Sequence, residues 1–518
     1  MSSDRIVPIC VGTPSTRRET SRRPVRCRAS HIAVLLLCAT ALSGCAVGPD
    51  YVVPGIELPT AWRNARPPKT PPAVPQLSEW WRRLNDQLLN RLIEEAVASN
   101  LDVASAKARI REARATRRQA IGALFPTLDG SGSATRNQVS ASSTSGGSAI
   151  TTYNQFQAGF DSSWELDIFG ANRRNVEATT YGVDVAEDDL RATLLTLIGD
   201  VTSYYAQARG YQARIALARR TAASQRETAA LTQRKFDAGS SSAVDVAKAA
   251  AQAASTEANI PTFEISYAES VHRLGVLLGR EPSALSPLLA GVKPIPAPRL
   301  PLPKGIPADV LVMRPDVRKA ERQLAQYTAL IGKAEAALYP SVSLTGSVST
   351  TALKIGDLGK NSTIGWSIGP SLSVPIFNGG QLRAAVEISE AQRDQYYVAW
   401  RAAVLSALED VENAIVSLSQ QRKRIGNLSE SARRYAEAAR LSRSLYETGS
   451  SSFLDVLDAE RSLYTAEDSL LDTRVSVATS YIALAKGLGG GWDGMIDSSV
   501  PEVVDLNTGP HLAGARLR

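Results

Sequence analysis

The sequence predicts an α+β chain made of two copies of one unit, each joining a strand hairpin to a very long helix. Three observations predict it. One phrase is written twice, as FDAGSSSAVDVAKAA at Phe236–Ala250 and YETGSSSFLDVLDAE at Tyr446–Glu460. Four segments alternate apolar with small polar residues, the period of a strand with two unlike faces. Between strands and doubled phrase, apolar residues recur at 4-3-4-3 spacing, the seam of a supercoiling helix.

The chain of 518 residues opens with a basic segment. Residues 1–44 hold seven arginines against Asp4 and Glu19, so most of the net +7 lies here and the rest is nearly neutral. No polyanionic partner is implied, nucleic acid included. The apolar run Ile32–Leu42 is too short to span a bilayer and has the length of a signal-peptide core. It ends in Leu42-Ser43-Gly44-Cys45, which resembles a bacterial lipobox. Residues 1–44 are therefore expected to be a lipoprotein signal peptide and Cys45 the acylated residue, its acyl chains holding the protein at a membrane. A plain secretory signal beside a chance cysteine is the competing reading. The long n-region leaves a start codon downstream of Met1 open. Cys10, Cys27 and Cys38 leave with the signal, so no disulfide framework and no cysteine metal site remain. After processing the histidines are His272 and His511, little for a histidine-based catalytic centre to draw on.

Residues 45–87 read as a lipidated, Pro-rich extended arm. The first repeat, 88–280, opens with helical periodicity from Leu88 to Leu124, which Pro126 stops. Strand candidates follow at TLDGSGSATR and FQAGFDSSWELDIF. In the second of these, Phe156, Phe160, Trp164 and Ile168 take one side and Gln157, Asp161 and Glu165 the other. The helix from Asn172 to Phe236 spans roughly 100 Å at ~1.5 Å per residue, more than a globular domain accommodates. Leu190, Leu194, Leu197, Val201 and Tyr204 begin its seam. After the Gly239 turn a shorter helix returns. The two shorter helices of a half are expected to be similar in length and to pack end to end along the long one.

A Pro-rich linker, 281–307, leads into the second repeat, 308–490, and 491–518 form a C-terminal tail. The order of signals is the same: RPDVRKAERQL answers NLDVASAKARI, ALYPSV answers ALFPTL, and PIFNGGQLR answers DIFGANRR. The strand candidates are SVSLTGSVST and IGWSIGPSLSVPIF. The seam runs through Val404, Leu408, Val411, Ile415 and Leu418, and the turn is at Gly449. The doubled phrase thus marks two helical hairpin tips, at the end farthest from the strands.

Each strand candidate is long enough for the ~9–11 residues of a tilted transmembrane strand. A soluble sandwich with one wet face is the alternative for the strands alone. Four strands cannot close a membrane barrel, since known barrels start at about eight. Copies must share one: two copies give about eight strands and a filled interior, three about twelve and a water-filled bore. A lipidated chain, a shared barrel with a polar lumen face and a ~100 Å helical tube describe a conduit from periplasm to exterior.

The segments LSGCAVGPDYVVP, WWRRLNDQLLNRLIEEAVASNLDVASAKARI, GIPADVLVMRPDVRKAERQL, SVPIFNGGQLR and YETGSSSFLDVLDAERSLYTAED carry a resemblance. Over nearly the whole chain from Cys45 to Trp492, the sequence resembles the TolC-like outer-membrane efflux proteins, in particular their NodT-type lipoprotein branch. The resemblance implies an outer-membrane β-barrel, four strands per protomer and twelve in a homotrimer, continuous with an α-helical coiled-coil tunnel in the periplasm. It implies the exit duct of a tripartite efflux pump, anchored in outer-membrane lipid and passing small molecules onward from a periplasmic adaptor and an inner-membrane pump, commonly of the resistance–nodulation–division class. A type I secretion duct for polypeptides has the same fold and is the functional alternative; a purely structural envelope spacer is a further one.

No P-loop is present, so energy is expected from the pump, and no cofactor is expected beyond the lipid on Cys45. No enzyme is expected either: Asp455 and Asp458 share a helix face, but no His or Cys converges on them. For the sites, the doubled phrase points to adaptor docking at Gly239, Ser240, Gly449 and Ser450, with both glycines at φ > 0. By resemblance, Leu454, Asp455 and Asp458 line the periplasmic gate, an apolar ring beside carboxylate rings that raise each other's pKa and attract cations. The same resemblance offers a Tyr446–Asp245 hydrogen bond as a lock between the hairpins. Ser451 stands where TolC itself carries an arginine, so the ionic part of that lock is missing. Solvated helix-face carboxylates and contact-free turn glycines are the bland alternatives.

Overall fold

The protein is represented by a computed structural model, which describes residues 46–56, 78–142, 148–298, 311 and 313–491. Cys45, the signal segment and the tail beyond Gly491 lie outside the described residues.

The helices are α1 (Gln87–Ser99), α2 (Leu101–Gly122), α3 (Ala171–Asp237), α4 (Ala243–Leu277), α5 (Pro315–Ala336), α6 (Gln381–Glu447) and α7 (Phe453–Gly487). The strands are β1 (Thr127–Ser142), β2 (Ser148–Leu166), β3 (Ser341–Ala352) and β4 (Ile364–Ser373). Each half therefore runs helix, strand, strand, long helix, tip, helix. The long helices α3 and α6 are 67 residues each, and the returning α4 and α7 are 35 each. The seam residues Leu190, Leu194, Leu197, Val201, Val404, Val411 and Ile415 are all buried.

One expectation changes. The Leu88–Leu124 helix is broken at Asn100, whose extended backbone and side chain cap a new helix by accepting from the Asp102 and Val103 amides. The pieces are 13 and 22 residues, and their counterpart α5 is 22, so the helix before the strands is shorter than the returning one. The Asn100 amide also donates to Leu277 O at 2.9 Å, which sets the kink on the end of α4. Asp86 does the same at the start of α1: it accepts from Leu88 and Leu89 amides and from the Tyr205 hydroxyl at 2.6 Å, tying the cap to α3. Such caps are worth about 1 kcal/mol each.

The strands pair as the two expected hairpins, β1 with β2 and β3 with β4, and these join in one antiparallel sheet in the order β1-β2-β3-β4, because β2 of the first repeat pairs with β3 of the second. The register puts Phe160 opposite Val348 and Val348 opposite Trp366; Trp164 faces Leu344, and Val342 faces Leu372. With Leu128 opposite Ser162, all of these share one face. The other face collects Asp129, Asp161, Ser163, Ser347 and Ser367. Below the sheet, Phe169 stacks on Tyr339 at 4.7 Å, locking the turns that leave β2 and enter β3.

The core lies where the short helices flank the long ones. Trp80 and Trp81, in the turn of 3-10 helix Trp80–Leu84, are buried, and Trp80 packs edge-on against Tyr481 of α7 and donates to Gly490 O. The inter-repeat linker is not wholly extended: Ser286–Leu289 form a helical turn. Arg209, buried on α3, donates to Leu289 O and Gly291 O, a cation placed at that turn's carbonyl end.

Candidate functional site

Both tips are built from the same local chemistry. At the first, Ser240 N–H donates to Lys235 O and Gly239 N–H to Phe236 O, with Gly239 at φ 75°. At the second, Ser450 N–H donates to Leu445 O and Gly449 N–H to Tyr446 O, with Gly449 at φ 80°. This six-to-one bond with a left-handed glycine is how a helix satisfies its last carbonyls, and only glycine adopts it without a Cβ penalty. The glycine positions are open: nothing lies within 4 Å of a Cβ added at either. Gly239, Ser240, Gly449 and Ser450 are exposed.

The serines and aspartate of the doubled phrase then start the next helix. Ser242 accepts from Asp245 N–H while Asp245 accepts from Ser242 N–H, and Ser452 and Asp455 repeat this reciprocal cap. The Asp245 and Asp455 carboxyls are held below the usual carboxylate range, chiefly by the hydroxyls of Ser242 and Ser452. Within a protomer this is opposite to the raised pKa expected from carboxylate repulsion, because each carboxylate is committed to its own cap.

The tips differ in what they present. Leu454 and its counterpart Val244 are both 60 % exposed. Asp455 and Asp458 are exposed one turn apart on one face, and Leu454 lies one turn before Asp458. Lys248 stands in the first repeat where Asp458 stands in the second, so the acidic pair belongs to the second tip alone.

The expected Tyr446–Asp245 hydrogen bond is not made. Tyr446 is buried, and its hydroxyl donates to Thr232 Oγ1 at 3.2 Å, while Thr232 in turn donates to Thr228 O. Asp245 is occupied by Ser241 and Ser242 on its own turn. What joins the two hairpins is a small apolar cluster of Ala249, Tyr446, Phe453, Val456 and Leu457. Lys235 Nζ lies 4.7 Å above the Tyr446 ring, and Phe453 meets that ring edge-on at 6.0 Å. Farther from the tip, Arg443 reaches Ser224 and Glu227, and Thr228 donates to Glu460, whose carboxyl is pushed up by burial. The sequence signal for this is thin: Tyr446 stands in the doubled phrase, but Thr232, Lys235 and Phe453 lie outside its serine–aspartate core.

No group of three or more His, Cys, Asp or Glu is placed to hold a metal among the described residues. No described helix is long and apolar enough to cross a membrane. Among the described residues, the sheet carries an exposed apolar face: Trp366 is 76 % exposed, Leu128 72 % and Ile368 69 %.

These features have close counterparts. A family model described as outer membrane efflux protein matches residues 92–280 and 306–490. Nodulation protein T of Rhizobium leguminosarum bv. trifolii is 37% identical over 464 residues, 87% of this chain and 96% of that protein. The solvent efflux pump outer membrane protein SrpC of Pseudomonas putida is 32% identical over 464 residues, again 87% and 96%. Among solved structures, the outer-membrane channel OprN superposes with a TM-score of 0.79 at 33% identity, covering 86% of this chain and 100% of that one. With most of its length matched in sequence and in fold, the chain belongs to the outer membrane efflux protein family.

Proposed function

We propose that three copies of this chain form the outer-membrane exit duct of a tripartite efflux pump. The observation that carries it is the two-faced sheet. Phe160, Trp164, Val348, Trp366, Ile368 and Leu372 form one apolar face that the protomer leaves exposed. The opposite face is small and polar. A patch of that kind on a four-stranded sheet with two open edges needs both lipid and further strands. Three copies supply twelve strands, a closed edge-free barrel and a wet lumen. The long helices α3 and α6 continue from the sheet as the tunnel wall, and the tips meet the periplasmic adaptor. The adaptor and an inner-membrane pump, of the resistance–nodulation–division class by family resemblance, supply substrate and energy. Leu454, Asp455 and Asp458 narrow the tunnel at the second tip. Cys45 carries the acyl anchor in the outer membrane.

The test is reconstitution. Purified protein should run as a trimer, insert in planar bilayers and conduct small ions. A monomer that stays water-soluble with the apolar face solvated would sink the reading. Mass spectrometry of the purified N-terminus should find Cys45 acylated, and an unmodified Cys45 removes the anchor while leaving the duct.

A further inference from the structure

The arm that leads away from Cys45 is not free along its first residues. Val47 N–H donates to Phe169 O at 3.1 Å, in the turn below β2. The Arg174 guanidinium, 6% exposed, closes over the arm: Nε donates to Val47 O at 3.0 Å, and Nη2 to Gly48 O at 3.0 Å and to Asp50 Oδ1 at 2.8 Å. Its remaining nitrogen, Nη1, donates to Glu177 at 2.8 Å, which braces the fork from its own helix.

Three glycines make room for this seat. A Cβ on Gly170 would sit 2.7 Å from the Ala46 side chain, and one on Gly48 would sit 2.3 Å from Gly332 Cα. A Cβ on Gly332 would lie 2.7 Å from Val47 O and 2.8 Å from Arg174 Nε. These approaches are to backbone, to the Ala46 Cβ fixed on its backbone, or to the clasping guanidinium itself, so nothing can yield cheaply. Farther along, the Tyr51 hydroxyl bonds Glu321, and its ring meets Tyr181 edge-on at 6.0 Å. Arg174 and Tyr181 belong to α3 in the first repeat, whereas Glu321 and Gly332 belong to α5 in the second. The seat therefore exists only when both repeats are folded against each other.

We propose that residues 46–51 are a docked strap, seated across the seam between the repeats and fastened by Arg174, which ties the acylated N-terminus to the base of the sheet. Ala46 follows Cys45 directly in the chain, so the clasp fastens the residues next to the acylation site. The strap positions the anchor. The membrane half of this inference rests on the lipoprotein reading of Cys45.

Hydrogen exchange on the full-length, membrane-extracted protein tests it. The probe is the Val47 amide, and the variants are Arg174→Met, which keeps the aliphatic stem and loses the fork, and Gly332→Ala, which fills the seat. Each should raise Val47 exchange about 10- to 100-fold, the range for losing hydrogen bonds to a charged group, with sheet amides unchanged. Arg174→Lys should rescue only in part, because a point charge cannot bond two carbonyls and a carboxylate in one plane. Cys45→Ala should leave Val47 protected, since the clasp uses no lipid. Should Arg174→Met fail to give folded protein, Asp50→Ala removes one exposed partner and should raise Val47 exchange a few-fold. Wild-type exchange at Val47 in Gly332→Ala together with either Arg174→Met or Asp50→Ala overturns the strap. An unmodified Cys45 with Val47 still protected overturns only the anchor reading.

Discussion

If separation of the two hairpins opens the duct, Tyr446 is the residue on which the closed state turns. Tyr446→Ala strips a buried ring from the tip cluster and removes the surface that Lys235 covers. Truncating a buried aromatic costs ~3–5 kcal/mol. Part of that is contact with Phe453, which lies on the same hairpin and moves with it. Taking about half as lost between hairpins leaves ~2 kcal/mol per protomer, or roughly 30-fold in the ratio of closed to open at 1.4 kcal/mol per decade. Tyr446→Phe isolates the hydroxyl. Thr232 keeps its own bond to Thr228 O, so no donor is orphaned. The loss is then ~0.5–1 kcal/mol, about 2- to 5-fold. Resting conductance of single trimers in planar bilayers reads both numbers, and the order alanine well above phenylalanine above wild type is the expected result. The reasoning fails if Tyr446→Ala assembles normally and keeps wild-type resting conductance, because the cluster would then not be what holds the tips together.

Further outcomes follow from the same tip. Leu454→Ala should raise resting conductance, and Asp455→Asn with Asp458→Asn should weaken cation selectivity and divalent block; asparagine is used because Asp455→Ala would also remove the cap at Ser452. Ser242→Ala and Ser452→Ala should each cost about 1 kcal/mol of local helix stability, read as faster hydrogen exchange at the Asp245 and Asp455 amides. Because the Asp245 and Asp455 carboxyls are depressed by their caps, the stability they add is present above the unfolded value near ~3.9 and is lost as pH falls through the lower folded value. Tip helicity should therefore hold from neutral pH to about 5 and fray in stronger acid, as circular dichroism or exchange will show. Gly449→Ala, at φ 80° with open space around it, should cost ~1–2 kcal/mol of strain and no clash.

What the sequence made legible was whatever a local period or a short-range cap encodes. The seam of α3 and α6, the two faces of β2 and β4, and the turn glycines were all readable, because spacing of 3.5 or 2 and a left-handed glycine need no knowledge of distant partners. The kink at Asn100 was encoded too, as an asparagine whose side chain reaches the amides of residues 102 and 103, but the apolar rhythm runs straight across it and hides it. Long-range pairing was not legible. Nothing local says that β2 joins β3 rather than each hairpin standing alone, and nothing in the Arg173-Arg174 pair announces that the arm more than 120 residues earlier supplies partners to Arg174. The doubled phrase shows the limit most clearly. Its identical part, Gly-Ser-Ser-Ser-x-x-Asp, is fully accounted for by a helix stop and a helix start. Repetition therefore reports the turn. Function has to be sought where the two copies differ, at Phe453 for Ala243 and Asp458 for Lys248, and those are the positions where one tip gains an aromatic latch and an acidic face that the other lacks.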